Sequence, residues 1–302
     1  MPPLEPTGEP HMPICKDRTV IITGAGGGLG RAYALAFAAE GAKVLVNDID
    51  LPAAEAVVAD IRANGGEAIA NNGDITDYAA AGDIVRQAVE AFGDLHVLVN
   101  NAGICRDRMF ASLAEADWDA VMAVHLKGHF CLASHAAKHW REQAKGGVAV
   151  KARIVNTSSG AGLQGSIGQS NYAAAKGGIA ALTLVQAAEL ARYGITANAL
   201  APAARTGMTE QVFAEVMKRP EDGFDHFAPE NVAPLVVWLG SEASQGVTGR
   251  MFEVEGGKLS IADGWRKGPE FDKGSRYRPE EVGKVIEHLL AETVPAQKVY
   301  GS

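Results

Sequence analysis

Short apolar runs alternate with alanine-rich helical stretches along most of this chain of 302 residues. The runs are nearly continuous in apolar residues rather than alternating with polar ones, which is typical of parallel strands covered on both faces. Repeated strand–helix–strand units of this kind fold into a doubly wound sheet with right-handed crossovers. Seven runs are predicted as strands: TVIIT (19–23), KVLVN (43–47), EAIAN (67–71), LHVLVN (95–100), ARIVNTS (152–158), ITANALA (195–201) and MFEVE (251–255).

No linker-like change in composition divides these units, so the pattern predicts one α/β domain with a Rossmann-type, seven-stranded parallel sheet over residues 16–257. A proline-rich leader, 1–15, is expected to be disordered. Segment 203–228 falls outside the alternation, and such loops commonly fold over a bound substrate as a lid. A C-terminal extension, 258–302, ends in a predicted helix with Pro279 in its first turn.

The composition describes an ordinary globular protein, with 47% hydrophobic and 21% charged residues. A formal net charge of −8 argues against general binding to nucleic acid or anionic membranes. No stretch reaches the length of a membrane span and the N-terminus lacks an apolar signal core, so a cytoplasmic location is expected. The cysteines, Cys15, Cys105 and Cys131, have no metal-ligand spacing, and we expect no metal site.

A glycine-rich turn, TGAGGGLGR, follows the first predicted strand and opens the first predicted helix. Glycine at positions 24, 28 and 30 lets the backbone turn tightly and approach a pyrophosphate, whose charge then meets the helix N-terminus. Such a turn is weak evidence alone. Between a strand and a helix of a parallel sheet, it strongly indicates dinucleotide binding.

The second strand ends in VNDID, which places Asp48 twenty-four residues after Gly24. A carboxylate at this spacing accepts hydrogen bonds from the adenosine ribose and repels a 2′-phosphate, so NAD is favoured over NADP. Asp50 competes for the role, but the spacing favours Asp48. The alternative is a solvated loop aspartate.

The segment SNYAAAKGG (170–178) stacks Tyr172 and Lys176 on one face of a helix. A phenol with its ordinary pKa of about 10 is a poor base at neutral pH. An ammonium one turn away, together with an oxidised nicotinamide, stabilises the phenolate and lowers that pKa. The pair therefore predicts a general base, and a helix-surface pair is the alternative.

Together these motifs resemble the short-chain dehydrogenase/reductase family. The turn beginning at Thr23 is similar to that family's cofactor loop, NGDITD to its adenine contact, and NNAG (100–103) to the segment beneath the cofactor. The resemblance implies a nicotinamide cofactor, here NAD. The contacts that it implies, with Asp48 added, are Gly24, Gly28, Leu29, Gly30, Asp48, Asp74, Ile75, Asn100, Ala102, Gly103, Tyr172 and Lys176.

The resemblance also implies an active site around Tyr172. Ser159, thirteen residues before Tyr172, would hold the substrate oxygen, and Lys176 would donate hydrogen bonds to the nicotinamide ribose. Ser158 competes with Ser159, but the interval favours Ser159. His125 stands where most members have asparagine, and either it joins a proton relay and titrates near neutrality or it is a buried structural histidine.

One departure from the family follows Pro202, where a threonine usually holds the nicotinamide carboxamide. Here PAARTGMT offers both Thr206 and Thr209, and the spacing leaves the choice open. Helices at about 116–140 and 171–193 pair across subunits in related proteins, so the resemblance implies a homodimer or homotetramer.

The segments HLKGHF, QSNYAAAK, FAPENVAPLVVWL and MFEVEGG resemble the dehydrogenase domain of the multifunctional type 2 enzymes of fatty-acid β-oxidation. That domain oxidises (3R)-3-hydroxyacyl-CoA with NAD, which implies a small-molecule substrate with a secondary alcohol. The net-positive stretch 258–278 is either a contact for coenzyme A phosphates or a solvated tail. A hydroxysteroid dehydrogenase, a 3-oxoacyl-carrier-protein reductase and a catalytically silent nucleotide-binding module are the alternatives.

Overall fold

The computed structural model describes residues 12–207, 217–262, 264, 267–295 and 297–300. In this part of the chain one sheet of eight strands forms, in the order β3-β2-β1-β4-β5-β6-β7-β8. The first seven strands are parallel and the last is antiparallel to its neighbour. The strands are β1 Thr19–Thr23, β2 Lys43–Asn47, β3 Glu67–Asn71, β4 Val97–Asn100, β5 Arg153–Thr157, β6 Thr196–Ala203, β7 Met251–Glu255 and β8 Lys258–Ala262.

The doubly wound parallel sheet is confirmed, but the predicted number of seven strands was wrong. The additional strand, β8, lies in the C-terminal extension and forms a hairpin with β7. Two glycines make the turn, and Gly256 has a φ of +54°, the left-handed conformation that such a tight hairpin turn requires. Most of β8 is exposed at the sheet edge, so it lacks the continuous apolar pattern that identified the buried strands.

Helices cover both faces of the sheet. On the first face pack α1, α2 and α8, and on the second pack α3, α5 and α7. Neighbouring residues of one strand point to opposite faces: Val20 and Ile22 belong to the first core and Ile21 to the second. This explains the continuous apolar runs. The described helices are α1 Gly28–Ala39, α2 Leu51–Ala63, α3 Tyr78–Phe92, α4 Glu115–Met122, α5 Gly128–Lys145, α6 Gly160–Gln164, α7 Ser170–Leu190, α8 Ala233–Gly240 and α9 Pro279–Glu292.

The strand order reverses between β1 and β4, because the chain builds the sheet outward from β1 in both directions. In such sheets, ligands bind in the crevice beyond the carboxyl ends of the strands at this reversal. The glycine-rich turn leaves β1 at this crevice, and the NNAG segment leaves β4 beside it. The topology therefore brings together motifs that lie far apart in the sequence.

Two of the predicted segments are described only in part. Residues 1–11 of the predicted leader and 208–216 of the predicted lid lie outside the described residues. A π-helical turn, Ala123–Lys127, joins α4 to α5 and carries His125. No helix in the described part of the chain combines the length and the apolar character needed to cross a membrane.

Candidate active site

A cavity of about 740 Å³ opens at the carboxyl ends of the strands. It brings together residues from the glycine-rich turn after β1, from the carboxyl ends of the five strands β2 to β6 or the loops that follow them, and from helix α7. Twelve of the predicted site residues line it: Gly24, Gly28, Leu29, Asp48, Asp74, Ile75, Ala102, Gly103, His125, Ser159, Tyr172 and Lys176.

Gly30 and Asn100 were predicted as cofactor contacts, but neither lines this cavity. A Cβ on Gly30 would stand 2.1 Å from the Gly24 carbonyl oxygen, so this glycine allows α1 to pack beneath the turn. Asn100 is buried, and its Nδ2 donates to Oδ1 of Asn156 at 3.0 Å between β4 and β5. Both residues therefore support the elements that form the cavity and do not border the cavity themselves.

The glycine-rich turn is tied to the end of β4 by hydrogen bonds. Thr23 Oγ1 accepts the backbone N–H groups of Asn101 and Ala102, both at 3.0 Å. The Asn101 Nδ2 atom donates to the Thr23 carbonyl at 3.0 Å. Gly24 has a φ of +61°, and a Cβ there would lie 2.7 Å from Ala102 Cα. Asn101 was missed in the sequence, although it is the second asparagine of NNAG.

The two candidate aspartates have different roles. The Asp48 carboxylate lies at the cavity and is fixed by the N–H groups of Gly26, at 2.9 Å, and Asp50, at 3.0 Å. Asp50 instead caps helix α2 and accepts the N–H group of Ala53 at 3.3 Å. The geometry thus supports Asp48, because Asp50 is engaged in the helix cap.

Lys176 is almost completely buried, with 2% of its surface exposed. Its Nζ donates to the Thr157 carbonyl at 2.6 Å and lies 5.5 Å from the centroid of the Tyr172 ring. Burial lowers the pKa of Lys176 to about 7, because the charged ammonium loses its hydration. Burial therefore opposes the positive charge of Lys176 in the folded chain.

The pKa of Tyr172 differs from the sequence-based expectation. Burial raises it above the ordinary value of about 10, while the hydrogen bond with Ser159 lowers it. The burial effect is the larger one. The protein surroundings alone therefore keep the phenol protonated at neutral pH, and Lys176, itself desolvated, does not reverse this.

The two neighbouring serines are separated by their hydrogen bonds. Ser158 is buried, and its Oγ donates to the Lys176 carbonyl at 2.8 Å. Ser159 Oγ accepts the N–H group of Ala161 at 3.2 Å and interacts with the Tyr172 side chain. The substrate-facing hydroxyl is therefore better assigned to Ser159.

His125 is buried in the π-helical turn, with 1% of its surface exposed. Its Nε2 lies 3.0 Å from the Ile104 N atom and 2.7 Å from the Ile104 O atom. The imidazole meets the Tyr172 ring edge-on, with centroids 5.1 Å apart. Burial lowers the pKa of His125 to about 3, so the ring is neutral at physiological pH. This favours the structural interpretation over titration near neutrality.

The remaining predictions concern the loop after β6 and the basic stretch. Thr206 lines the cavity and would contact a Cβ on Gly28 at 3.3 Å, whereas Thr209 lies outside the described residues. In the basic stretch, Lys273 pairs with Glu281 at 2.5 Å. Its charge is thus partly balanced within the chain. Among the described residues, no cluster of His, Cys, Asp or Glu could hold a metal ion.

Known proteins are similar to this chain in sequence and in fold. A family model described as short chain dehydrogenase matches residues 18–216. The hydroxyacyl-CoA dehydrogenase ChsB1 of Mycobacterium tuberculosis is 43% identical over 289 residues, which cover 93% of this chain and 90% of that protein. The peroxisomal multifunctional enzyme type 2 of Mus musculus is 39% identical over 90% of this chain, which spans 40% of that protein's length.

A solved structure is also similar. The crystal structure of a short chain dehydrogenase from Mycobacterium avium superimposes with a TM-score of 0.89 at 57% sequence identity. The match covers 96% of this chain and all of that one. These comparisons confirm both resemblances drawn from the sequence motifs. The chain belongs to the short-chain dehydrogenase/reductase family, whose members are oxidoreductases that use nicotinamide cofactors.

Proposed function

We propose that this protein oxidises the 3-hydroxyl group of hydroxyacyl-CoA thioesters with NAD as the oxidant. One observation carries the proposal: Ser159, Tyr172 and Lys176 border the same cavity as the fixed Asp48 carboxylate. This reaction needs four groups: a base, a hydroxyl that holds the substrate oxygen, a cation beside the base, and an acceptor for the ribose hydroxyls.

The glycine-rich turn fits the pyrophosphate of a dinucleotide. Helix α1 begins at Gly28, and its N-cap, Gly27, offers no side-chain cap to the first N–H groups. A Cβ on Gly27 would meet nothing within 4 Å, so the turn is open on this side. Unpaired N–H groups and the helix dipole there favour an anion. We assign the pyrophosphate to this turn.

The adenosine end fits NAD better than NADP. The Asp48 carboxylate is held by two backbone N–H groups, which leaves lone pairs for ribose hydroxyls. A 2′-phosphate at this place would face a negative charge. Among the described residues lining the cavity there is no arginine, and the lysine, Lys176, lies in the catalytic group. The electrostatics therefore support NAD.

In the proposed reaction, the bound nicotinamide supplies the acceptor for the hydride that leaves the substrate carbinol carbon. Tyr172 Oη takes the proton of the substrate hydroxyl, and Ser159 Oγ holds that oxygen in place. Lys176, oriented by the Thr157 carbonyl, supplies positive charge beside the phenol when it is protonated. Because burial alone keeps Tyr172 protonated, the base needs added positive charge in the cavity to function.

The substrate class is supported by the relatives. Two of them, at 43% and 39% identity, are named a hydroxyacyl-CoA dehydrogenase and a multifunctional peroxisomal enzyme. The test is a steady-state assay of both configurations of 3-hydroxyacyl-CoA, and of hydroxysteroids, with NAD and with NADP. We expect turnover of a CoA thioester with NAD. Inactivity on every CoA thioester would refute the substrate class, and turnover of steroids alone would favour the hydroxysteroid alternative.

We also propose a homo-oligomer, formed through the outer faces of α5 and α7. Phe130 on α5 is 51% exposed, and Leu184 and Val185 on α7 are 57% and 51% exposed. Apolar side chains that are exposed on the outer faces of two helices favour burial against a partner. Sedimentation equilibrium should show a dimer or tetramer, and a monomer at all concentrations would contradict the proposal.

A further inference from the structure

The last described segment of the chain, 297–300, returns to the loop that follows Ser159. Tyr300 forms an isolated parallel bridge with Ser166. The Ile167 N–H group donates to the Tyr300 carbonyl at 3.0 Å, and the Tyr300 N–H group donates to the Gly165 carbonyl at 3.2 Å. The two bonds run in opposite directions and fix the register of the tail on the loop.

The side chains of the tail sit where the loop has glycine. A Cβ on Gly160 would stand 2.6 Å from the Tyr300 hydroxyl oxygen and 2.9 Å from its Cε2 atom. A Cβ on Gly165 would stand 3.0 Å from Val299 Cγ1. Larger residues at either glycine would force the tail away. The phenol therefore lies directly on the backbone of the residue that follows Ser159.

The Tyr300 ring is anchored on more than one side. Its hydroxyl forms a hydrogen bond with the Gln164 side chain, while burial and the nearby Glu253 raise its pKa. Gln164 is the last residue of α6, the short helix that Ser159 caps. Tyr300 thus touches both ends of α6, at Gly160 and at Gln164.

The other sides of this loop are held by α7 and by the chain after β4. A Cβ on Gly162 would lie 2.6 Å from the Lys176 carbonyl carbon, and the Arg108 N–H group donates to the Gly168 carbonyl at 2.8 Å. The Ser159 side chain itself accepts a bond from Ala161, within the loop. The tail adds its own contacts to this loop, at Gly160 and at Gln164.

We propose that Tyr300 is a positioning residue, which holds Ser159 beside Tyr172 by pressing on Gly160 and binding Gln164. The role of Ser159 in this inference rests on the proposed function. Tyr300 does not line the cavity, so it acts through the loop rather than on the substrate. Holding a reacting group within a fraction of an ångström matters, because a shift of about 1 Å costs up to about 100-fold in rate.

The test compares Tyr300→Ala with Tyr300→Phe, which keeps the ring on Gly160. We expect Tyr300→Ala to lower kcat for the best substrate about tenfold, with the Kd for NAD unchanged. Tyr300→Phe loses only the bond to Gln164 and should lower kcat less. In a Ser159→Ala background, Tyr300→Ala should have no further effect. Tyr277→Ala is the matched control, since this tyrosine of the same extension bonds instead to the Phe271 carbonyl.

Hydrogen exchange gives a readout that is independent of substrate. Amides of 160–167 should exchange faster in Tyr300→Ala than in the parent protein, and those of α7 should not. Gly160→Ala is the second variant, for use if Tyr300→Ala does not fold. Its new Cβ would push the Tyr300 ring off the loop, so the amides of 160–167 should again exchange faster. Unchanged exchange, unchanged kcat, or an equal loss of kcat in the Ser159→Ala background would overturn the inference. Absence of turnover in the parent protein would refute the proposed function, and exchange would then decide whether Tyr300 orders the loop.

Discussion

The cofactor half and the substrate half of the cavity are built in different ways. In the cofactor half, hydrogen bonds from backbone N–H groups fix the geometry. Thr23 accepts two of them from the end of β4, and the Asp48 carboxylate accepts two others. In the substrate half, ionisable side chains are buried at an energetic cost. Lys176 and Tyr172 both have pKa values shifted by burial toward the neutral form.

The free energy of folding and the proposed function are in agreement in the cofactor half and in conflict in the substrate half. A hydrogen-bonded backbone turn stabilises the fold, and it also presents the uncapped N–H groups of the α1 N-terminus, which favour an anion. A buried lysine destabilises the fold because its ammonium loses hydration, and in the proposed mechanism this lysine supplies charge beside the phenol. Substitutions in the two halves should therefore have opposite signatures: loss of folding and binding in the first, and loss of catalysis in the second.

The largest effect is expected for Tyr172→Phe, which removes the proposed base and little else. The kcat should fall by about 10²- to 10⁴-fold, the usual contribution of a general base, while the Kd for NAD stays the same. Steady-state kinetics and a calorimetric NAD titration measure the two quantities. Tyr193→Phe is the control, because that hydroxyl receives a bond from Arg192 at 2.6 Å and lies outside the cavity lining. Equal activity of Tyr172→Phe and the parent would show that Tyr172 is not the general base.

Lys176→Met should stabilise the fold in a pH-dependent way. The pKa of Lys176 is about 7 in the folded chain and about 10.4 when unfolded, so the unfolded chain binds more protons between these values. The contribution of Lys176 to the parent's free energy of unfolding therefore rises from pH 7 toward 10.4, by at most about 1.4 kcal/mol per pH unit. The advantage of the methionine variant should be largest below pH 7 and shrink above it.

Urea unfolding of both proteins at several pH values measures this difference in the free energy of unfolding. His125 adds no slope in this range, since its pKa of about 3 keeps the ring neutral. A difference that does not change between pH 7 and pH 10 would mean that Lys176 is charged throughout.

In the cofactor half, Gly30→Ala should damage folding and binding together. The new Cβ would stand 2.1 Å from the Gly24 carbonyl oxygen, so the turn must move. The free energy of unfolding should fall by about 1–3 kcal/mol, as for other overpacked sites, and NAD affinity should fall with it. Gly27→Ala is the stability control, because its Cβ meets nothing within 4 Å. Equal stability of the two variants would contradict the packing role of Gly30.

The smallest effect concerns cofactor preference. Asp48→Asn keeps one of the two acceptor oxygens for the turn and removes the charge, so the preference for NAD over NADP should fall about tenfold. Asp50→Asn, which preserves the cap of α2, should leave the preference unchanged. The ratio of kcat/KM values for the two cofactors checks this. An unchanged ratio in Asp48→Asn would assign the discrimination to another group.

The positions of the glycine-rich turn and of Asp48 at the cavity could be predicted from the sequence, for a physical reason. The glycine-rich turn and Asp48 are local patterns tied to strand ends, so spacing alone places them. Strand β8 was missed because it is exposed, so its sequence lacks the continuous apolar run that marks a buried strand. The contact of Tyr300 with Gly160 joins residues about 140 positions apart, and no local pattern records it.

Environment-dependent chemistry was also beyond the sequence. The spacing of Tyr172 and Lys176 predicted their proximity, and the pair is indeed adjacent. It did not predict that burial would raise the pKa of the phenol and lower that of the ammonium. Such shifts depend on how many neighbouring groups exclude water, which is a property of the packed site.

The most direct test of the proposed reaction follows the hydride itself. Purified protein is given NAD and 3-hydroxyacyl-CoA that carries deuterium on the carbinol carbon, and the nicotinamide product is examined by mass spectrometry. The account predicts deuterium in the reduced cofactor, formed by the parent protein and lost in Tyr172→Phe. Reduced cofactor without the label, or none formed with the thioester in either configuration, would contradict it.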